Sequence, residues 1–161
     1  MQDHIFRDAT RADIPWLVAR HDALYRAEAG FDGSFAGVVE RALNDFFDGR
    51  DPKSERAFIP VVASKSVGSL FCTRGPEKHI AQIRLFWLEP AQRGTGLGRA
   101  MLEAALQHAR AAGMHQMLVR TYDRHAAAGR LYAKAGFELT EARAVENFGQ
   151  SLVEQAWRRA V

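Results

Sequence analysis

The stretch EPAQRGTGLGRAMLEAALQHAR, residues 89–110, decides how the rest of this 161-residue chain is read. Gly94, Gly96 and Gly98 alternate between Arg93 and Arg99, and an amphipathic run follows at once. Glycines there let the backbone turn tightly and come close to a ligand, and a helix starting there leaves its first N–H groups free. Those donors, with the positive end of the helix dipole, make an anion site, and Arg93 and Arg99 add full charges at its edges. Two familiar phosphate loops are excluded. No Gly-Lys-Ser/Thr follows, as a nucleotide-hydrolysing loop requires. A dinucleotide fingerprint needs glycine where Arg99 stands and an acidic residue closing the next strand, and QMLVRTY (116–122) has none.

Working outward, IAQIRLFWLEP (80–90) predicts a long strand stopped by Pro90, and the helix after the glycines ends at Gly113. Residues 115–122 predict the next strand, residues 125–135 a helix closed by Gly136, and residues 138–148 and 151–158 two strands meeting at Gly149. On the N-terminal side, residues 4–9 predict a strand. A helix over 13–28 follows, with Asp13 as cap and Pro15 in its first turn, and then a helix over 34–47 capped by Ser34. Residues 57–63 and 67–74 predict two further strands. The order β-α-α-β-β-β-α-β-α-β-β implies an α/β fold, with a mixed central β-sheet flanked by helices in one domain spanning 1–161.

Composition narrows the class. Apolar residues are 47% and charged residues 25% of the chain, as in soluble globular proteins. No apolar run approaches the ~18 residues that span a bilayer, and the N-terminus has no signal-peptide core. The lone Cys72 cannot form an internal disulfide, so a cytoplasmic setting is expected. The net charge of +3 is scattered, which argues against nucleic acid as a partner. The six histidines show no ligand-like spacing, and no metal is expected.

The segment Gln92–Gly98 resembles the acetyl-CoA signature of the GNAT superfamily of N-acetyltransferases, Arg/Gln-x-x-Gly-x-Gly/Ala, through Arg93, Gly96 and Gly98. RLYAKAGFEL (130–139) resembles that family's following helix, and the two segments stand one strand apart as the family requires. Residues 19–32 and 146–158 are also similar to the acetyltransferase half of bacterial proteins that join a MarR-type regulator to a GNAT domain. The regulator half is not in this sequence, so a free-standing enzyme without DNA binding is expected.

The resemblance implies acetyl-CoA as cofactor, with its diphosphate on the backbone of Arg93, Gly94, Thr95, Gly96, Leu97, Gly98 and Arg99. It implies a pantetheine arm paired along Phe86, Trp87 and Leu88, and a Leu88 N–H polarising the thioester carbonyl. Tyr132 takes the place of the family's general acid, and His125 stands where relatives keep a cofactor-contacting asparagine. The strand carboxylate many relatives use as base is missing, because IAQIRLFWL offers only Gln82 and Arg84 as polar groups.

An alkylammonium is protonated at neutral pH, so a base is still needed. His21, Tyr25 and Glu28 share one face of the first predicted helix, which nominates Glu28 or His21 as base and all three as acceptor contacts. Arg84 is a candidate for an acceptor carboxylate. Three functions remain open: acetylation of a small-molecule amine, acetylation of a protein lysine or N-terminus, and a catalytically silent acyl-CoA sensor. A homodimer exchanging the closing strands is also compatible.

Overall fold

The computed structural model describes residues 4–161. Within them, strands and helices follow as β1 (Ile5–Asp8), α1 (Ile14–Ala29), α2 (Ser34–Gly49), β2 (Arg56–Val62), β3 (Lys65–Ser66), β4 (Gly68–Arg74), β5 (Ile80–Leu88), α3 (Leu97–Ala111), β6 (Gln116–Tyr122), α4 (Ala126–Lys134), β7 (Glu138–Asn147) and β8 (Gln150–Ala160). The predicted order holds with one addition, the two-residue β3, which pairs with β2 where a plain turn was expected. The sheet runs β1-β2-β4-β5-β6-β8-β7 and is antiparallel except between β5 and β6. The outermost strand, β7, is largely exposed on both faces.

Alternation along the strands sends side chains to two helical layers. On one face Leu70, Cys72, Ile83, Met117 and Val119 pack against Met101, Leu102 and Leu106 of α3 and Tyr132 of α4. On the other, Ile59, Phe71 and Trp87 pack against Leu17 and Leu24 of α1 and Val39, Leu43 and Phe46 of α2. Cys72 is fully buried, and that burial raises its thiol to about 12, so it is an inert core residue.

Two helix starts differ from expectation. Asp13 does not cap α1 with its side chain. Its carboxylate accepts the Thr10 N–H at 2.8 Å and binds the Arg7 guanidinium at 2.7 and 2.9 Å, because a 3₁₀ turn over Arg11–Asp13 precedes the helix. Ser34 is the first residue of α2 rather than its cap. Asp32 instead accepts the Ser34 N–H at 3.0 Å.

The feature that positions the site is a β-bulge in β5. Ser69 pairs with Trp87 and Phe71 with Arg84, so Leu85 and Phe86 face the single residue Leu70. Leu85 takes the left-handed conformation at φ 50°, and its carbonyl accepts the Ser69 hydroxyl at 2.6 Å. The bulge turns β5 away from β6. Their parallel pairing runs from Ile80–Gln116 to Ile83–Val119 and stops, although both strands continue. Beyond that point the sheet forks.

Candidate active site

The fork opens into a cleft of about 730 Å³, lined from one face of the sheet by α1 and α2 and from the other by α3 and α4. One mouth is the glycine turn. Gly94 and Gly96 have φ of 74° and 87°, which only glycine adopts without strain, and Gly96 is the residue from which α3 starts. Among the described residues, the amides of Gly94, Thr95, Gly96, Gly98 and Arg99 donate to nothing in the chain. Thr95 stiffens the turn, its hydroxyl donating to the Gln92 carbonyl at 2.7 Å and accepting the Leu97 N–H at 3.4 Å. Leu97 itself is buried in the core and anchors the helix. A Cβ on Gly98 would sit 3.4 Å from Leu88, 3.5 Å from Leu131 and 3.9 Å from Phe86, so a side chain there would fill the cleft's throat.

The open edge of β5 forms one wall. The Glu89 N–H donates back to the Val67 carbonyl at 2.8 Å, on the β4 side. Alternation therefore turns the N–H of Leu88, and that of Phe86, into the cleft, while Trp87 faces β4. The opposite wall is α4. Tyr132 lines the cleft from that helix, buried against Phe86, Phe137 and Trp157, and its hydroxyl makes no hydrogen bond among the described residues. Burial pushes its phenol well above the ordinary value, so it stays protonated and presents an O–H.

On the α1 side the walls are aromatic. His21 stacks on Tyr25 at 6.0 Å and meets Trp87 edge-on at 5.6 Å, and Tyr25 packs against His125 and Phe35 at 4.7 Å each. His21, Tyr25 and Glu28 do come together in the cleft, as their spacing predicts, but in different states. His21 is buried, and its Nδ1–H donates to the Leu17 carbonyl at 2.7 Å, which leaves Nε2 bare. Burial lowers its pKa to about 4. Tyr25 is pushed up to about 12, chiefly by burial. His125 is half-buried, with its pKa lowered by desolvation and its buried Nε2 without a partner.

Glu28 is not the free carboxylate that the sequence suggests. It sits half exposed at the rim, in a two-bond ion pair with Arg93 at 2.7 and 3.0 Å. Arg93 thus ties the glycine turn to the end of α1, a link between residues 65 apart that no local pattern announces. Arg84 and Arg99 line the cleft and are exposed. Phe31 and Phe148 pack with Ala29 and Leu152, and Trp157 packs into the α3–α4 core, so none of the three is among the cleft's lining residues. Sequence reasoning missed Trp87 as an acceptor-side wall whose buried Nε1–H lacks a partner. It also missed Arg120 and Arg124. Among the described residues Glu28 is the sole carboxylate lining the cleft, against Arg84, Arg93, Arg99, Arg120, Arg124 and Lys134.

The fold that carries this arrangement is matched by known proteins. The sequence profile of the acetyltransferase (GNAT) family matches residues 6–137. The chain belongs to that family. Acetyl-CoA is the acyl donor of GNAT acetyltransferases, and the cleft fits it. The unpaired amides suit a diphosphate, the open β5 edge suits an extended amide-bearing arm, and the glycine at position 98 keeps the throat clear. An L-methionine sulfoximine/L-methionine sulfone acetyltransferase of Pseudomonas paraeruginosa is 29% identical over 83% of this chain and 80% of its own length. A mycothiol acetyltransferase of Thermobispora bispora is 38% identical over 39% of this chain, but the match spans only 21% of that longer protein. A Salmonella typhimurium acetyltransferase solved with acetyl-CoA superposes with a TM-score of 0.79 at 19% identity, covering 99% of this chain and 94% of its own. Among the described residues no helix is long and apolar enough to cross a membrane.

Proposed function

We propose that this GNAT acetyltransferase transfers an acetyl group to the amine of a small molecule by direct attack within a ternary complex. The observation that carries the reading is the fork between β5 and β6. It joins a mouth of bare amides to a chamber walled by His21, Tyr25, Phe35 and Trp87. A chamber walled by aromatic rings suits a small acceptor better than an extended peptide. The Pseudomonas relative, named for acetylating small molecules, supports the same choice.

When bound, acetyl-CoA supplies an acetyl group activated as a thioester. The amides of Gly94, Thr95, Gly96, Gly98 and Arg99 hold the diphosphate, and the β5 edge at Phe86 and Leu88 pairs with the pantetheine arm. The Leu88 N–H polarises the acetyl carbonyl. Tyr132 donates a hydrogen bond to the departing sulfur. Because a phenol near ~10 is less acidic than a thiol near ~8.5, full transfer is uphill by ~2 kcal/mol, and burial of Tyr132 widens the gap. Tyr132 therefore acts by hydrogen bonding and keeps its proton. The amine's proton goes to Glu28 through water, once Arg93 turns from Glu28 toward the diphosphate. His21 is the weaker candidate, since an imidazole titrating at about 4 binds a proton poorly. The likeness of residues 19–32 and 146–158 to regulator fusions adds no DNA-binding role to this reading.

The test is thiol release from acetyl-CoA over a panel of free amines and peptides, with wild type and Tyr132→Phe. Release with free amines, strongly reduced in Tyr132→Phe, supports the proposal. Release with peptides alone replaces it by protein acetylation, and tight coenzyme A binding without release on any acceptor replaces it by the sensor.

A further inference from the structure

The last paired residues of β5 and β6 are Ile83 and Val119. The next residue on each strand is an arginine, Arg84 and Arg120. Paired residues of parallel strands point to the same face, and Ile83 and Val119 point toward α3. Arg84 and Arg120 therefore leave the opposite face side by side, at the apex of the fork, and both line the cleft. That is the face on which the aromatic chamber lies.

Neither side chain makes a close ion pair among the described residues. Arg84 has no ion pair or hydrogen bond from its side chain among the described residues. Arg120 has only long contacts to Glu141 at 3.6 Å and Glu154 at 3.7 Å, and Glu154 is shared with Arg143 at 3.4 Å. The remaining cations of the cleft have other positions: Arg93 and Arg99 flank the glycine turn, Arg124 reaches the Ala29 carbonyl at 3.4 Å, and Lys134 ends α4. Two guanidiniums that line one cleft with donors to spare can together hold a planar oxyanion.

We propose that Arg84 and Arg120 clamp an anionic group on the acceptor, so that the substrate is an amino acid or a close analogue whose amine lies next to a carboxylate or an isosteric acid. This rests on the amine-acetylating reading and gives the acceptor its chemical class. The clamp sits at the closed end of the fork, and the free β5 edge at Phe86 and Leu88 runs outward from it. An acceptor held there by its acid presents an amine a bond or two away toward that edge. The cationic lining also disfavours an acceptor bound as an ammonium without a balancing acid. A zwitterion brings its own balancing charge.

The experiment compares the common L-amino acids with their amides and their decarboxylated amines, by thiol release and by calorimetric binding to enzyme saturated with coenzyme A. Wild type is expected to favour acids over amides by about 10- to 100-fold in kcat/KM, the range of a hydrogen bond to a charged group. In Arg84→Gln and Arg120→Gln that acid-to-amide ratio should collapse. Equal use of acids and amides by wild type overturns the clamp, as does a ratio that neither substitution changes. Release with every amine but no preference overturns the clamp and leaves amine acetylation standing. No release with any acceptor removes the acetylation reading instead, and binding then decides the clamp: acids that bind while amides do not uphold it, and equal binding overturns it.

Discussion

Acid should weaken this fold through one buried imidazole. His21 is closed off by Tyr25, Phe35 and Trp87, with Nδ1–H bonded to the Leu17 carbonyl and Nε2 facing no acceptor or donor. Desolvation lowers its pKa from 6.5 to about 4. Between those two values the unfolded chain binds a proton that the folded chain refuses. Stability from this group is therefore complete above 6.5 and is lost as pH falls toward 4. The gap corresponds to about 3 kcal/mol. His21→Leu isolates the effect, because the Leu17 carbonyl keeps its helical partner, the backbone N–H of residue 21. Urea unfolding of both proteins, followed by far-ultraviolet circular dichroism at pH 4, 5, 6 and 7, gives stability against pH. The wild type should lose about 3 kcal/mol relative to the variant between pH 7 and pH 4. Curves that stay parallel over that range would refute the burial argument.

Three further outcomes follow from the site. Tyr132→Phe should lower kcat by up to ~10²–10⁴, the range of a positioned proton donor, with little change in coenzyme A affinity, as steady-state kinetics and calorimetry will show. Gly96→Ala places a Cβ at φ 87°, a strain of about 1–2 kcal/mol, and should weaken coenzyme A binding, whereas Gly98→Val should abolish it by filling the throat between Leu88 and Leu131. Glu28→Gln breaks a half-exposed ion pair and should change stability by less than ~1 kcal/mol while lowering the rate at neutral pH. Unfolding curves and a pH–rate profile separate the two effects.

The glycine turn was legible because its chemistry is local. Alternating glycines before an amphipathic run admit few backbones, and Gly94 and Gly96 adopt the left-handed conformation that the spacing suggests. Helix and strand order was legible for the same reason, down to the chain reversal at Gly149. What escaped depends on tertiary partners. The bulge in β5 falls on Leu85, a residue with no preference for positive φ, and is held by the Ser69 hydroxyl from the neighbouring strand. The pairing of Glu28 with Arg93 joins distant segments, so a carboxylate on the right helical face reads as a free base until the fold brings Arg93 to it. Asp13 and Ser34 look like caps by type, but a 3₁₀ turn and Asp32 respectively take over those duties. Arg84 and Arg120 become a pair only through the β5–β6 register, which no sequence pattern fixes.

The most direct test is a crystal structure of the chain with coenzyme A. The diphosphate should lie on the amides between Gly94 and Arg99, with the pantetheine arm along Phe86–Leu88 and its sulfur toward the Tyr132 hydroxyl. Coenzyme A bound elsewhere, with those amides facing water and the β5 edge bare, would contradict the account.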